Sequence, residues 1–99
     1  MNEISAQELK IKMTNSDSSF LVIDVREKIE FHTYNIGGLH IPLGKLQDAL
    51  EELPKNVEQE IIVVCQKGIR SKTAQTILMQ AGYKNVKNLK GGLSTFARI

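Results

Sequence analysis

The chain has 99 residues, of which 41% are hydrophobic and 24% charged, and its formal net charge at pH 7 is +2. This length is typical of one domain with one core, so we expect residues 1–99 to form a single domain. The nearly balanced charge, with three Phe, two Tyr and no Trp, argues against a nucleic-acid-binding surface. The single cysteine cannot form an internal disulfide, and apolar runs such as IIVV are too short to cross a bilayer. These features predict a cytoplasmic protein that acts on neither nucleic acid nor membrane.

The first segment of the chain is predicted to form a helix followed by a loop. Ser5 and Glu8 have the spacing of a capping box, and Ile4 and Leu9 occupy the positions of a hydrophobic staple. We therefore expect a helix that opens at Ile4-Ser5. The polar segment NSDSS, at 15–19, is typical of a loop.

A buried strand, a short helix and an extended segment are predicted next. The apolar run FLVID, at 20–24, is typical of a strand that is buried on both faces. Asp24 followed by Glu27 repeats the pattern of a cap and an acid, so we expect a helix over 27–33. After two glycines, a brief extended segment is expected at 39–41.

The centre of the chain is predicted to form a helix, the most apolar strand and another helix. Leucine and alanine recur at helical spacing over 46–53, and Pro54 ends that pattern. The segment EIIVVC, at 60–65, has the strongest strand pattern in the chain. A second apolar stripe over 74–81 predicts a helix that Gly82 terminates.

The last elements complete an alternation of strands and helices. A strand is expected at 86–89, and GGLSTF, at 91–96, begins a closing helix. Continuous apolar strands that alternate with helices predict an α/β fold, with a parallel sheet covered by helices on both faces. Functional residues in such sheets gather at the carboxyl ends of the strands, where Cys65 is predicted to lie.

The short turn after the most apolar strand combines a thiol, a glycine and two cations. Its residues are Cys65, Gln66, Lys67, Gly68, Ile69, Arg70 and Ser71. A turn this tight before a helix directs several backbone N–H groups inward, and Gly68 permits a positive φ. The helix N-terminus and the cations also favour an anion. Such surroundings lower a thiol pKa from about 8.5 to roughly 3.5–7.5, so Cys65 is predicted to be a nucleophilic thiolate.

The alternative interpretation of Cys65 is an inert core residue, which is the usual role of a lone buried cysteine. The neighbours of Cys65 on its carboxyl side are Gln, Lys, Gly and Arg rather than apolar residues. This change from apolar to polar sequence favours the reactive thiol.

The chain resembles the rhodanese family of sulfurtransferases along nearly its whole length. The segments ISAQEL, LVIDVREKIEF, NIGGLHIPLGKL and IIVVCQKGIRSKTAQTILMQAGYKNVKNLKGG are similar to blocks of that family and follow the same order. The most specific feature is the Cys-x-x-Gly-x-Arg-Ser loop followed by AGYKNV and LKGG.

The resemblance implies a five-stranded parallel sheet flanked by helices on both faces. It also implies that Cys65 takes a sulfane sulfur from a small anionic donor such as thiosulfate and becomes a persulfide. The persulfide would then pass its sulfur to cyanide or another thiophilic acceptor. The transferred sulfur would be held by the loop, from Gln66 to Ser71, and no cofactor would be needed.

Loop length and two departures refine the resemblance. The loop has six residues from Cys65 through Arg70, as in the sulfurtransferases, whereas related phosphatases have one more. Phosphatase or arsenate reductase activity is therefore the weaker alternative. The segment NIGG…IPL is similar to rhodanese domains fused to adenylylating enzymes of molybdopterin and thiocarboxylate biosynthesis. Phe96 stands where the family commonly has Trp.

Two roles remain open for each charged residue near the loop. The resemblance implies that Asp24 and Arg26 support the active loop. Alternatively, Asp24 caps a helix and Arg26 pairs with a carboxylate such as Glu30. Arg70 either binds the oxyanion of thiosulfate or braces the loop from outside. Lys67 is expected to project toward solvent, where it either attracts anions through its charge or is simply a solvated lysine of the turn.

The sequence contains no pattern typical of a metal site. His32 and His40 do not have zinc-ligand spacing with Cys65, so we expect no metal. Two functions fit the residues. One is a thiosulfate-type sulfurtransferase, and the other is a carrier that receives sulfur from a cysteine desulfurase and delivers it to an accepting protein, with little activity on free thiosulfate.

Overall fold

The computed structural model describes residues 2–15 and 19–99 as a single parallel sheet between two layers of helices. The predicted loop at 15–19 falls partly on 16–18, which lie outside the described residues. The five strands are β1 (Glu3–Ile4), β2 (Phe20–Asp24), β3 (Leu39–His40), β4 (Glu60–Val64) and β5 (Val86–Leu89). The helices are α1 (Ala6–Thr14), α2 (Lys28–Thr33), α3 (Leu43–Ala49), α4 (Arg70–Gln80) and α5 (Gly92–Phe96), and a 3₁₀ turn covers Leu50–Glu52.

The strand order is β1-β5-β4-β2-β3, and every neighbouring pair is parallel. The predicted α/β architecture with five parallel strands is therefore confirmed. Within the described residues, no helix combines the length and the apolar character that a membrane span requires.

The central strand β4 is buried on both of its faces. Ile61 and Val63 pack in a cluster with residues of α3 and α4. Ile62 and Val64 pack in a second cluster with residues of α1 and α5. Successive residues of a strand point to opposite faces, so a continuous apolar run is what a strand between two helical layers requires.

Strand β1 is the main element that periodicity does not predict. Only Glu3 and Ile4 form it, and they pair with Asn88 and Leu89 at the edge of the sheet. The helix that was expected to open at Ile4-Ser5 therefore starts after a strand residue. Ser5 is its N-cap, with Glu8 N–H donating to Ser5 Oγ at 3.0 Å and Ser5 N–H donating to Glu8 Oε1 at 3.0 Å.

Two helix boundaries differ from the sequence prediction. The N-cap position of α2 is Glu27, and the Asp24 carboxylate instead lies against Arg26, so the prediction that Asp24 caps this helix is wrong. The helix expected over 46–53 begins earlier, at Leu43, and its end tightens into the 3₁₀ turn before Leu53 and Pro54. The missing N–H and fixed φ of proline prevent the helix from continuing.

The register of the sheet brings two turns to one edge. Asp24, the last residue of β2, pairs with Val64, the last residue of β4. Because the strands are parallel, the turns after both strands leave the carboxyl edge side by side. The backbone joins them directly, since Val25 N–H donates to Val64 O at 3.0 Å.

Candidate active site

The turn after β4 surrounds the sulfur of Cys65 with hydrogen-bond donors. The N–H groups of Gly68 and Ser71 donate to Cys65 Sγ at 3.1 Å and 3.3 Å. Ser71 Oγ lies 3.2 Å from the same sulfur. Cys65 is only 1% exposed and belongs to a core cluster, but the polar atoms on its loop side show that it is not sealed among aliphatic groups alone.

These contacts favour the thiolate over the thiol. Burial raises the pKa of Cys65, but hydrogen bonds from the Ser71 hydroxyl and from the N–H groups of Ser71, Gly68 and Lys67 lower it by more. The thiol pKa therefore lies below its ordinary value. A lowered thiol pKa increases the fraction of nucleophilic thiolate near neutral pH.

The chain reverses within this short turn because Gly68 adopts a φ of 89°. Ile69, at the N-cap position of α4, makes no side-chain capping bond. The free N–H groups that a helix start presents are therefore available to the sulfur, which accepts that of Ser71 in the first turn.

Helix α5 holds the outer side of the turn. Leu93 N–H donates to Cys65 O at 2.9 Å, and Ser94 N–H donates to Gln66 O at 3.0 Å. A Cβ on Gly92 would come within 2.5 Å of Gln66 O and 2.7 Å of Cys65 O. Only glycine allows the two backbones to approach this closely, and the approach lets the N–H groups of α5 bind the carbonyls of Cys65 and Gln66.

Asn88 is a residue of the site that the sequence reasoning missed. Its Nδ2 donates to Gly68 O at 3.0 Å, and its Oδ1 accepts the hydroxyl hydrogen of Ser71. The sequence gives little signal for this role, because Asn88 follows another polar residue, Lys87, in the last strand. Asn88 therefore links two donors of the turn across 17 and 20 positions of the chain.

The contact with Asn88 decides how Ser71 meets the sulfur. A serine hydroxyl has one hydrogen, and a carbonyl oxygen such as Asn88 Oδ1 only accepts. When Cys65 is a thiol, its S–H can donate to Ser71 Oγ. When Cys65 is a thiolate, the backbone N–H groups of Gly68 and Ser71 donate to it as they stand. The Ser71 hydroxyl can donate to the thiolate only after its hydrogen turns away from Asn88.

Asp24 and Arg26 form a buried ion pair behind the loop. Arg26 Nε donates to Asp24 Oδ1 at 3.0 Å and Arg26 Nη2 to Asp24 Oδ2 at 2.8 Å, while Asp24 is 0% and Arg26 2% exposed. The pairing of Arg26 with Glu30, one of the two alternatives, is therefore wrong. Arg26 Nη1 also donates to Gln66 Oε1 at 3.1 Å, and Gln66 Nε2 donates to Ser94 Oγ at 3.0 Å. The pair thus contacts the loop through Gln66 and does not contact the sulfur through any of these bonds.

Arg70 is held by a carboxylate of α2. Its Nη1 and Nη2 donate to Glu30 Oε1 and Oε2 at 2.7 Å and 2.8 Å. This hydrogen-bonded guanidinium lowers the pKa of Glu30 to about 2, and Glu30 in turn raises the pKa of Arg70. This contact is the one expected if Arg70 braces the turn from outside, and binding of a thiosulfate oxyanion by Arg70 stays a prediction.

The remaining predicted residues of the loop face solvent. Lys67 is exposed and Ile69 is 73% exposed. In the described ranges 2–15 and 19–99, no three His, Cys, Asp or Glu side chains are placed to hold a metal ion. His40 has a structural contact instead, with Nε2 2.8 Å from Arg26 O and its ring stacked on Phe31.

Comparisons with known proteins give one consistent result. The Rhodanese-like domain family matches residues 5–98. YrkF of Bacillus subtilis, whose name describes a sulfur carrier protein, is 38% identical over 92 residues, which cover 92% of this chain and 48% of YrkF. A sulfurtransferase of Allochromatium vinosum is 31% identical over 99 residues, which cover 99% of this chain and 90% of that protein.

Solved structures agree with the sequence relatives. The crystal structure of a Staphylococcus saprophyticus protein has a TM-score of 0.86 at 30% identity, covering 97% of this chain and 93% of that one. The likeness to domains fused to adenylylating enzymes is also confirmed. An adenylyltransferase and sulfurtransferase of Zea mays is 29% identical over 101 residues, which cover 96% of this chain and 21% of that protein.

The family match covers strands β2 to β5, all five helices and the cysteine turn, and β1 at Glu3–Ile4 precedes it. Relatives that bear the names sulfurtransferase and sulfur carrier are 31% to 38% identical to this chain over 92 to 99 residues. The chain belongs to the rhodanese-like domain family.

Proposed function

We propose that this chain is a sulfurtransferase that carries a sulfane sulfur as a persulfide on Cys65. The observation that carries the proposal is the set of backbone N–H groups directed at Cys65 Sγ. The same groups that stabilise a thiolate are suited to a second, anionic sulfur bonded to it.

The reaction consists of two sulfur transfers. The Cys65 thiolate attacks the sulfane sulfur of the donor, a new S–S bond forms, and the donor's S–S bond breaks as its leaving group departs with the electron pair. With thiosulfate the leaving group is sulfite. A thiophilic acceptor, cyanide or a thiol, then attacks the outer sulfur, and Cys65 leaves as the thiolate. Two half-reactions joined by a covalent intermediate predict ping-pong kinetics and require no cofactor.

A sulfur-carrier role is the second candidate, and two observations favour it. The relative YrkF has the name of a sulfur carrier. Arg70, the cation considered above as a partner for the thiosulfate oxyanion, is bound to Glu30. In this role a cysteine desulfurase would supply the sulfur and an accepting protein would receive it, both through the same Cys65 persulfide.

The test is the mass of the intact protein after exposure to each donor. We expect wild type to gain one sulfur atom and Cys65→Ser to gain none, and we expect thiocyanate formation from thiosulfate and cyanide to be lost in the same variant. Thr73→Ala, an exposed change on α4, is the control that should load as wild type does.

The same mass measurement, with thiosulfate and with a persulfide-loaded cysteine desulfurase as alternative donors, separates the two roles. An enzyme of the thiosulfate type is loaded by thiosulfate, and a carrier is loaded mainly by the desulfurase. Loading of Cys65→Ser, or hydrolysis of a phosphotyrosine analogue by wild type with no sulfur loading, would contradict the proposal.

A further inference from the structure

Both arginines beside the active turn are already neutralised by carboxylates. Arg26 is paired with Asp24, and Arg70 is paired with Glu30. The site therefore offers the Cys65 sulfur a set of N–H groups, but the two guanidinium charges nearest the turn are matched by two carboxylate charges. The electrostatic consequence concerns the charge of the donor that this site accepts.

Glu30 is held in place from two sides. Its carboxylate binds both terminal nitrogens of Arg70, and Oε1 also accepts the N–H of Glu27 at 2.9 Å at the start of α2. The bond to Glu27 belongs to the helix cap and exists independently of Arg70. Glu30 is therefore preorganised to bind the guanidinium, and a donor's oxyanion has to displace it to reach Arg70.

Glu30 lines a groove beside the active turn, and Arg70 contacts Glu30 from outside that lining. A surface groove of about 290 Å³ runs between α2 and the active turn. Its lining residues are Arg26, Ile29, Glu30, Thr33, Tyr34 and Gln66. The Glu30 and Arg70 side chains are 30% and 36% exposed, so an incoming anion can contact both. An approaching sulfonate thus meets a carboxylate and an occupied guanidinium.

Two classes of donor differ in the charge that they bring. Thiosulfate is a dianion. When its sulfane sulfur enters the turn, its sulfonate oxygens remain outside the set of N–H groups. An alkyl persulfide carries at most a single charge, which resides on the sulfur that the N–H groups receive. Of the two cations in the turn, Arg70 is bound to Glu30 and Lys67 is exposed. The first class of donor gains from a free guanidinium beside the turn, and the second does not.

We propose that Glu30 is a specificity-determining residue that, by binding Arg70, disfavours thiosulfate and leaves persulfides as the preferred donors. This inference rests on the function proposed above and names the donor class for the same site. In the favoured reaction the Cys65 thiolate attacks the outer sulfur of the persulfide. The Sγ–S bond forms, the donor's S–S bond breaks, and the donor's thiolate leaves with the electron pair.

The test compares Glu30→Gln with wild type on two donors, thiosulfate and the persulfide of 2-mercaptoethanol. Gln keeps an oxygen for the Glu27 N–H, so the helix cap is retained while the charge that holds Arg70 is lost. We expect the thiosulfate concentration for half-maximal loading rate to fall about fivefold, as suits the loss of one partly exposed charge pair. We expect the value for the persulfide to change by less than about twofold.

Two further variants identify the cause of the change. Glu58→Gln removes the same charge from an exposed site before the amino end of β4, and it should shift neither donor. Glu30→Gln/Arg70→Gln should lose the gain for thiosulfate, because no guanidinium remains to be released. A gain that persists in this double variant, or that is equal for both donors, overturns the inference.

Failure of the inference differs from failure of the proposed function. If no donor adds sulfur to Cys65, the proposed function is wrong. If both donors load Cys65 and Glu30→Gln changes neither, the sulfurtransferase remains and the role of Glu30 is wrong.

Discussion

The turns after β2 and β4 start side by side at the same edge of the sheet, yet their N–H groups donate to different kinds of acceptor. After β2, the Arg26 N–H and guanidinium both donate to the Asp24 carboxylate, and the Glu27 N–H donates to Glu30. After β4, the corresponding N–H groups donate to the sulfur of Cys65. In the first turn the acceptors of the N–H groups are carboxylates, whereas in the second turn the acceptor is the candidate nucleophile itself.

The comparison shows how one edge of a parallel sheet supplies both a support and a site. We call the turn after β2 the closed turn and the turn after β4 the open turn. Arg26 of the closed turn donates to Gln66 of the open turn, so the two are in contact. The open turn has no side-chain cap of its own on α4, and its donors are satisfied by the group that reacts. The lowered thiol pKa follows in part from a helix start without a capping side chain, whose N–H groups donate to the sulfur.

The largest expected effect comes from breaking the closed turn with Asp24→Ala. The change leaves the Arg26 guanidinium buried without its carboxylate, and removal of one partner of a buried pair costs about 3–5 kcal/mol. The free energy of unfolding, measured by denaturant titration, should fall by that amount. Asp48→Ala, on the exposed side of α3, should change it by less than about 0.5 kcal/mol.

An unchanged unfolding free energy in Asp24→Ala, together with lost sulfur loading, would contradict the supporting role. It would indicate that Asp24 takes a direct part in the chemistry.

An effect almost as large is expected from the wall behind the open turn. In Gly92→Ala the added Cβ would lie 2.5 Å from Gln66 O, at a φ of 66° that disfavours other residues. Strain and overpacking together should lower the free energy of unfolding by about 3 kcal/mol. Differential scanning calorimetry provides the measurement.

Gly44→Ala is the matched control for that change. A Cβ on Gly44 has no atom within 4 Å, and its position inside α3 favours alanine by about 1 kcal/mol. Equal effects of the two substitutions would show that α5 does not hold the turn in place.

The smallest effect is a pH dependence that sharpens the contrast between the two acceptors. Burial raises the pKa of Cys65 in the folded protein, but the Ser71 hydroxyl and the N–H groups of the turn together lower it by more, so the folded state favours the thiolate. The stability gained in this way is absent below the folded pKa and grows as pH rises toward the unfolded pKa. Each unit of difference contributes about 1.4 kcal/mol.

The measurement is the difference in unfolding free energy between wild type and Cys65→Ser across that pH range. This difference should increase with pH. The absorbance of the wild-type thiolate should appear at a lower pH than the ionisation of a free thiol. A difference that falls as pH rises would mean that burial outweighs the N–H groups.

Much of the fold could be predicted because its signals are local. The strands predicted at 20–24 and 86–89 coincide with β2 and β5, and the strand predicted at 60–65 is one residue longer than β4. The Ser5–Glu8 capping box was also readable, since both partners lie within one helical turn. Strand β1 was not, because two residues are too few to show a period.

The sequence by itself determined where the reactive thiol stands. Apolar residues that require burial on both faces end at Cys65, and Gly68 with a following helix places N–H groups around it. These signals come from neighbours along the chain. The position of the cysteine at the end of a buried strand is of this kind, whereas α5 and Asn88 hold its turn from distant parts of the chain.

Only the tertiary structure decided which side chains from elsewhere in the chain contact the cysteine turn. Glu30 reaches Arg70 across 40 positions, and Asn88 reaches Gly68 across 20. Both pairings exist because parallel strand order brings the ends of separate elements to one edge. No local pattern encodes such a distance, and the electrostatic character of the site depends on it.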